Sequence, residues 1–415
     1  MRRSFDLIVL GCSSVVVSGA FLALFFGTEE TGVEGNPAWR ALLAITYTAV
    51  VLVLIPRYRE SLYVLRRNWS LVALLFLAVM SSLWAEMPDL VLRRSVGLFG
   101  TTVFGIAVAI RLSLQEQLLM LRWLFRVIAI LSIASIVLFP GSRISGDGEW
   151  MGVFEHKNAM GTVMGLSLLV ESQMSGVDRR ARVSKVLFML LYAVLLLKSD
   201  SVTPVVALTG TLILLSIYKF ASLRLRVPFY ALFAIVAVLA SVGVSLVAAN
   251  ADNIMGILGR SSNLTGRTEI WGLVVSFIPQ RPIFGYGYSG FWLGASPESF
   301  VVNRVLGGPV MYSHNGYLEI FLTLGAVGFL LVMVFLISGM KRALVFSRQQ
   351  ECDIALWPLA FLVYFILHNL GECTILVQQL EWAMCVSCIA GTDLALLAGS
   401  AEEEVAAWVP LEEFG

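Results

Sequence analysis

The chain has 415 residues, 58% of them apolar and only 14% charged, and 29 Lys+Arg against 28 Asp+Glu leave a net charge of +1. Mean hydropathy is +0.84, and soluble domains carry about 25% charged residues, so a water-soluble globular enzyme is excluded. The scattered basic residues also form no dense patch of the kind nucleic acids need. Five cysteines, an odd number lying in or beside apolar runs, imply no disulfide framework, and the Cys385/Cys388 spacing reads as helix packing.

At about 20 apolar residues per crossing, this composition supplies up to about 12 membrane helices. Apolar runs bounded by charge predict them near residues 7–26, 40–56, 70–85, 95–111, 118–139, 157–173, 184–198, 202–219, 227–248, 315–340, 354–370 and 374–397. The expected fold class is an all-α polytopic membrane protein. The first run follows Arg2 and Arg3 and continues past Cys12; Leu10 suits a lipobox poorly, so a retained helix is expected in place of a twin-arginine or lipoprotein signal. With Arg2 and Arg3 cytoplasmic, alternating loops put Arg57, Arg59, Arg66, Arg67, Arg111, Arg122, Arg126, Arg179, Arg180, Arg182, Lys185, Lys219, Arg224, Arg226, Lys341, Arg342 and Arg348 on that same side. The expected organisation is nine helices over 1–248, a long periplasmic loop over 249–314, three helices over 315–397, and a cytoplasmic acidic tail over 398–415 with Glu402, Glu403 and Glu404.

Every connection except 249–314 is short, so extracytoplasmic chemistry should use that loop. Within it, Thr265-Gly266-Arg267-Thr268-Glu269 opens a helix that Pro279 ends, with Thr265 or Gly266 as cap. Ile270, Trp271, Val274, Val275, Phe277 and Ile278 predict an amphipathic face lying flat on the bilayer. Gly285-Tyr286-Gly287-Tyr288-Ser289-Gly290-Phe291-Trp292 reads either as a turn-rich loop anchored at the lipid interface or as a sugar-stacking surface.

Basic residues on the outer side run against the positive-inside tendency, and an anionic ligand there would account for Arg93, Arg94, Lys157, Lys198, Arg260, Arg267, Arg281 and Arg304. Helices entering from that side also begin with unpaired N–H groups and a partial positive charge. Three such beginnings are polar: His156-Lys157-Asn158, Lys198-Ser199-Asp200-Ser201-Val202-Thr203-Pro204, and Ser313-His314-Asn315. Together with the loop arginines they can line one cavity for a phosphate-bearing lipid head group. Plainer roles stand beside these. Ser201 with Pro204 is a good helix start by itself, Lys157 and Lys198 can snorkel to lipid phosphates, and Arg93 and Arg94 suit interface anchors. His314, beside Asn315 and five residues before Glu319, is hard to place facing lipid. His368, with Asn369 and Glu372, reads as a buried hydrogen-bonding group. The histidines lie far apart with no Asp-rich cluster, so no metal site is expected.

Gly266-Arg267-Thr268-Glu269-Ile270-Trp271, then Pro282-Ile283-Phe284-Gly285-Tyr286-Gly287, then Ser313-His314-Asn315-Gly316-Tyr317-Leu318-Glu319 with Leu324-Gly325-Ala326-Val327-Gly328, form an ordered set. It resembles the shared domain of O-antigen ligases and O-antigen polymerases. Gly152-Val153-Phe154-Glu155-His156-Lys157-Asn158-Ala159-Met160-Gly161 and Ser199-Asp200-Ser201-Val202-Thr203 are similar to ExoQ-type exopolysaccharide polymerases within that superfamily. The resemblance runs from about Gly152 to Glu372. It implies a GT-C-like multi-pass glycosyltransferase of the bacterial inner membrane, with its active site facing the periplasm and no cofactor. The implied donor is a glycan on undecaprenyl diphosphate. The implied acceptor is the next lipid-linked glycan for a polymerase, or the lipid A core for a ligase of lipopolysaccharide biosynthesis. Membrane lipids are implied partners, polysaccharide-assembly proteins are candidate ones, and nucleic acid is not a partner.

The resemblance carries the roles of the family's loop arginine and histidine to Arg267 and His314; Arg260 and Arg281 match its pattern less closely. The implied reaction is an inverting transfer without metal, with polymerisation the first expectation and ligation the alternative. Arg267, helped by Arg260 or Arg281, would neutralise the leaving diphosphate, and His314 would take the acceptor proton. Glu319, about one turn into its helix, would orient His314, with Glu269 as an alternative base. Lys157, His156, Asn158, Lys198, Asp200, Asn315 and Tyr317 are expected to bind diphosphate or glycan. A transporter of lipid-linked sugars would also need about twelve spans, but it would place polar or broken helices at the midplane in paired repeats, whereas here polar groups gather near one surface.

Overall fold

The apolar runs become helices, and polar side chains set where several of them start. A computed structural model describes residues 2–20, 36–175, 178–224, 263–292, 297–308, 310–349 and 353–407. In chain order the helices are α1 (Arg2–Val17), α2 (Pro37–Leu54), α3 (Tyr58–Arg67), α4 (Trp69–Met80), α5 (Pro88–Arg111), α6 (Leu114–Leu138), the single turn α7 (Pro140–Arg143), α8 (Lys157–Gln173), α9 (Arg179–Lys198), α10 (Val202–Arg224), α11 (Asn263–Phe277), α12 (Pro297–Leu306), α13 (Gly316–Gln349), α14 (Trp357–His368) and α15 (Leu380–Ala407). Asn36 caps α2 by accepting from the N–H groups of Ala38 and Trp39, Ser113 and Glu116 form a reciprocal capping box on α6, and Asp178 caps α9.

The all-α polytopic class stands. Six helices among the described residues are long and apolar enough to cross a membrane, and three shorter apolar helices accompany them. Large apolar side chains such as Ile45, Phe76, Val137 and Leu197 point outward, largely exposed, which lipid accommodates and water does not. The bundle is organised around α14, whose residues from Trp357 to Phe365 are all buried, with α8, α10, α13 and α15 packed around it. The helix expected over 227–248 lies outside the described residues. The last helix begins at Leu380 rather than near 374, because the Asn369 side chain accepts from the N–H groups of Thr374 and Ile375 and holds that stretch as a loop. It also continues to Ala407, so the first part of the expected tail is helical.

Ion pairs tie the helices at the end of the bundle rich in basic residues. Arg122 and Arg126 both pair with the buried Glu171. Arg342 forms an ion pair with Asp393 at 2.7 Å and donates through Nη2 to Asn68 Oδ1, and Arg111 pairs with Asp6.

α13 breaks at Gly325, whose φ of 65° and ψ of −165° lie outside the helical region. The loop after α11 fills that break. Tyr286 and Gly287 donate to the carbonyls of Leu322 and Thr323 at 3.0 and 2.9 Å, and Ala326 and Val327 donate to those of Pro282 and Ile283 at 2.9 and 3.2 Å. Backbone groups that a broken helix would leave unpaired are thereby satisfied. A Cβ on Gly325 would stand 2.3 Å from the Ile283 carbonyl, so both conformation and space require glycine.

This weld corrects two expectations. Tyr286, Tyr288, Phe291 and Trp292 are buried, and Phe291 meets Tyr286 and Trp292 edge-on at 5.1 and 5.0 Å. The rings are protein core, neither lipid anchors nor a sugar platform. Ile270, Val274 and Phe277 of α11 pack on that aromatic cluster, on Val302 of α12 and on Leu322 of α13, while Val275 is 54% exposed. Protein meets the apolar stripe of α11 because the loop folds back beneath it, so the helix does not need a bilayer surface to bury that stripe. α11 also starts earlier than expected, at Asn263, and ends in a 3-10 turn over Ile278–Gln280 that holds Pro279.

Candidate functional site

The starts of α8, α10, α11 and α13 and the loop after α14 meet at one end of the bundle, and Glu372 lies at their junction. Arg267 donates through Nη2 to Glu372 Oε1 at 2.8 Å and through Nη1 to Thr203 Oγ1 at 3.0 Å and the Gly371 carbonyl at 2.7 Å. His314 Nδ1 lies 3.5 Å from Glu372 Oε2. A Cβ on Gly371 would come within 2.7 Å of Thr203 Oγ1, so any larger residue would push the Thr203 side chain aside. The loop is held in place by Gly316, whose N–H donates to the carbonyls of Asn369 and Glu372 at 2.9 and 3.0 Å. Burial alone would raise the pKa of Glu372, but its contact with His314 and the positive charge of Arg267 outweigh that and hold it below the usual carboxylate range.

His314 adopts a φ of 51°, a left-handed conformation that disfavours an L-residue by about 1–2 kcal/mol. Neighbouring bonds impose it. Ser313 N–H donates to Glu319 Oε2 at 2.9 Å, and Trp271 Nε1 donates to the Ser313 carbonyl at 2.9 Å. Asn315 Oδ1 then accepts from the N–H groups of Tyr317 and Leu318, starting α13. The imidazole rests against the Tyr312 ring, centroids 4.4 Å apart.

Several sequence-based assignments are corrected by this geometry. Glu319 does not touch the His314 ring: its carboxylate accepts from Trp292 Nε1 at 2.8 and 3.0 Å and from Ser313, so it shapes the turn that carries His314. Asn315 is engaged as a cap, and its Nδ2 donates to the Leu370 carbonyl. The Tyr317 hydroxyl is engaged with the Ile366 carbonyl at 2.9 Å. Arg281 lies at the far end of α11, against Trp84, Glu86 and Tyr286, and not beside Arg267. Glu269 is exposed and makes no part of the junction. Arg260 lies outside the described residues.

The other candidates line the same end. His156 caps α8, its Nδ1 accepting from the Asn158 N–H at 3.2 Å; desolvation lowers its pKa, against the opposing pull of Glu372. Lys157 pairs with Glu149, which also accepts from Ser145. Lys198 sits over the Trp150 ring at 5.7 Å. Asp200, with a φ of 52°, turns the chain from α9 into α10. His368 is buried as a hydrogen-bonding group, its Nε2 3.2 Å from Thr162 Oγ1. The sequence reading placed Thr203 only within the polar start of α10, without a role of its own, and missed Glu372, Gly371 and Tyr312 as members of the site. Of those three, Glu372 alone left a signal: an acid just past His368 and Asn369 at a run's outer end, in a chain that is 14% charged.

Residues 186–333 match the O-antigen ligase family. Over 114 residues the chain is 28% identical to the exopolysaccharide production protein ExoQ of Rhizobium meliloti (strain 1021), a match covering 25% of this chain and 26% of that relative. The chain thus spans about a quarter of the length of the curated relative it matches. Both findings support the O-antigen ligase/polymerase, ExoQ-like family. The family match includes Arg267 and His314 and ends before Glu372.

Proposed function

We propose that this protein transfers a glycan from undecaprenyl diphosphate to a sugar hydroxyl at the periplasmic face of the bacterial inner membrane, as a surface-polysaccharide polymerase. The observation that carries this reading is the Glu372 carboxylate shared between Arg267 at 2.8 Å and His314 at 3.5 Å. A carboxylate at Nδ1 favours the tautomer protonated there, which leaves the Nε2 lone pair to accept a proton and stabilises the imidazolium that forms. Among the described residues Arg267 keeps its Nε–H and one Nη2–H for a diphosphate oxygen, and the starts of α8, α10 and α13 add N–H dipoles of the same sign.

In one displacement the acceptor oxygen bonds to the anomeric carbon as the bond to the diphosphate oxygen breaks. The hydroxyl proton passes to His314, the electron pair leaves with the diphosphate, and attack from the opposite face inverts the anomeric carbon. Arginine and helix N-termini balance the leaving charge without a metal. The likeness to an exopolysaccharide production protein favours polymerisation. The O-antigen ligase match favours a second reading, transfer to the lipid A core.

Purified protein supplied with an undecaprenyl-diphosphate glycan, with and without lipid A core, tests the choice. A ladder without core means polymerase; a single product requiring core means ligase. His314→Ala and Arg267→Ala are each expected to abolish transfer in a folded, inserted protein, and full activity in either removes that residue from the mechanism. Chelation is expected to leave activity intact; loss that added divalent metal restores refutes the arginine-based account.

A further inference from the structure

An apolar face on α11 would set Trp271 against lipid, where an indole N–H meets head groups. The structure turns that N–H inward, to the Ser313 carbonyl at 2.9 Å. Trp271 stands one turn after Arg267, about 6 Å further along the same face of α11. One helix therefore carries both the arginine of the junction and a bond to the residue before His314.

The carbonyl that Trp271 holds belongs to the peptide plane joining Ser313 to His314, and the His314 φ of 51° is the rotation about the bond that leaves that plane. Pinning its oxygen sets the direction in which the imidazole leaves the chain. Other groups hold the flanking peptides. Glu319, itself fixed by Trp292 Nε1, accepts from the Ser313 N–H at 2.9 Å on the preceding plane, and the Gly316 N–H donates to the carbonyls of Asn369 and Glu372 further on. Among the described residues only Trp271 bonds to the middle plane. A left-handed φ is disfavoured for an L-residue by a factor of about 5–30. A freed plane therefore rotates back and carries the imidazole away from Glu372 Oε2, now at 3.5 Å, and from the Tyr312 ring at 4.4 Å.

We infer that Trp271 is a positioning residue for His314: its indole N–H holds the strained peptide before the histidine, so that docking of α11 brings the diphosphate-binding arginine and the proton acceptor into register as one unit. This rests on the glycan transfer proposed above. Arg267 keeps its own bonds to Thr203, Gly371 and Glu372 whether or not the indole bond is made. Losing the indole bond thus slows the chemical step without loosening the grip on the diphosphate.

Full-length protein in nanodiscs tests this with two substitutions. Trp271→Phe keeps an apolar ring and removes the N–H. Trp271→His offers a five-membered ring whose Nε2–H can take the place of the indole N–H, and at about pH 8 it is neutral. Single-turnover transfer gives the maximal rate and the half-saturating donor concentration. The chain has three histidines, so ¹⁵N-histidine spectra report the His314 ring directly, with His314→Ala identifying its signals. In folded Trp271→Phe the maximal rate is expected to fall about 5–30-fold with half-saturation unchanged, and the His314 signals to shift; Trp271→His is expected to recover most of the rate. Wild-type rate or unmoved His314 signals in Trp271→Phe overturn the assignment, as does a loss confined to donor affinity or a Trp271→His protein as slow as the phenylalanine one. If Trp271→Phe does not fold, Trp271→His decides alone: a near-wild-type rate supports positioning through the N–H, and a slow folded protein overturns it. Wild-type transfer by His314→Ala sinks the proposed reaction, while the His314 signals of Trp271→Phe still decide whether the indole holds the histidine.

Discussion

Replacing Glu372 with glutamine keeps the shape of the side chain and removes its charge, so it isolates what the carboxylate does between Arg267 and His314. The group is nearly sealed, its side chain 7% exposed, with Arg267 at 2.8 Å and His314 at 3.5 Å. A hydrogen bond to a charged partner contributes roughly 1.5–3 kcal/mol. Arg267 makes such a bond, whereas His314 Nδ1 at 3.5 Å makes none in the resting structure; that contact tightens as the ring becomes positive in the transition state, and together the two are expected to supply about 3–4 kcal/mol there, or ~10²–10³ in kcat. Glutamine can also turn its amide N–H to Nδ1. That places the imidazole proton on Nε2, removes the base, and carries the loss toward the ~10⁴ seen when a triad carboxylate becomes an amide. Single-turnover transfer of a lipid-linked glycan measures this, with a melting curve to confirm folding. Activity within threefold of wild type in a folded Glu372→Gln protein would refute the reasoning.

The same charge has a stability signature. The native pKa of Glu372 lies below its ordinary 4.5, so its contribution is complete above pH 4.5 and vanishes as pH falls through the lower native value. The melting temperature of the glutamine variant should lack that step, and an identical acid limb in both proteins would count against it. Glu319→Gln leaves one amide oxygen for the N–H groups of Trp292 and Ser313; it is expected to lower stability by about 1–3 kcal/mol and to slow transfer through the His314 turn. Unchanged melting and unchanged kcat would show that the turn does not depend on it. Gly325→Ala forces a Cβ to 2.3 Å from the Ile283 carbonyl at a φ of 65°, so the weld should open and the detergent-solubilised protein melt at markedly lower temperature; wild-type melting would disprove the weld. His156 has a native pKa below 6.5, so protonation opposes folding and stability falls as pH drops below 6.5. His156→Asn keeps a capping acceptor without titrating and should flatten melting temperature against pH in that range; a retained slope would assign it to another group.

The positions of most of the apolar helices could be read from the chain, because an apolar run of about 20 residues has few other ways to satisfy its backbone in lipid, whereas the short α3, α7 and α12 were not foreseen. The polar starts at His156, Ser201 and His314 were also legible, since charge and hydrogen-bonding groups at the edge of an apolar run are locally conspicuous, and Arg267 stood out in the same way. Which carboxylate meets His314 was not. Glu319 lies five residues away along the chain yet faces Trp292 and the Ser313 N–H, while Glu372 arrives from the loop after α14, brought there by the packing of α13 on α14 and by the Gly316 and Asn369 backbone contacts. The fate of Tyr286, Phe291 and Trp292 was equally hidden, because an aromatic side chain suits lipid, sugar and core alike. The break at Gly325 buried them, and it set Arg281 against Trp84 and Glu86 instead of beside Arg267. Periodicity and capping are nearest-neighbour physics and are written in order along the chain. Contacts between segments far apart in sequence exist only once helices have packed, so only the tertiary structure could decide them.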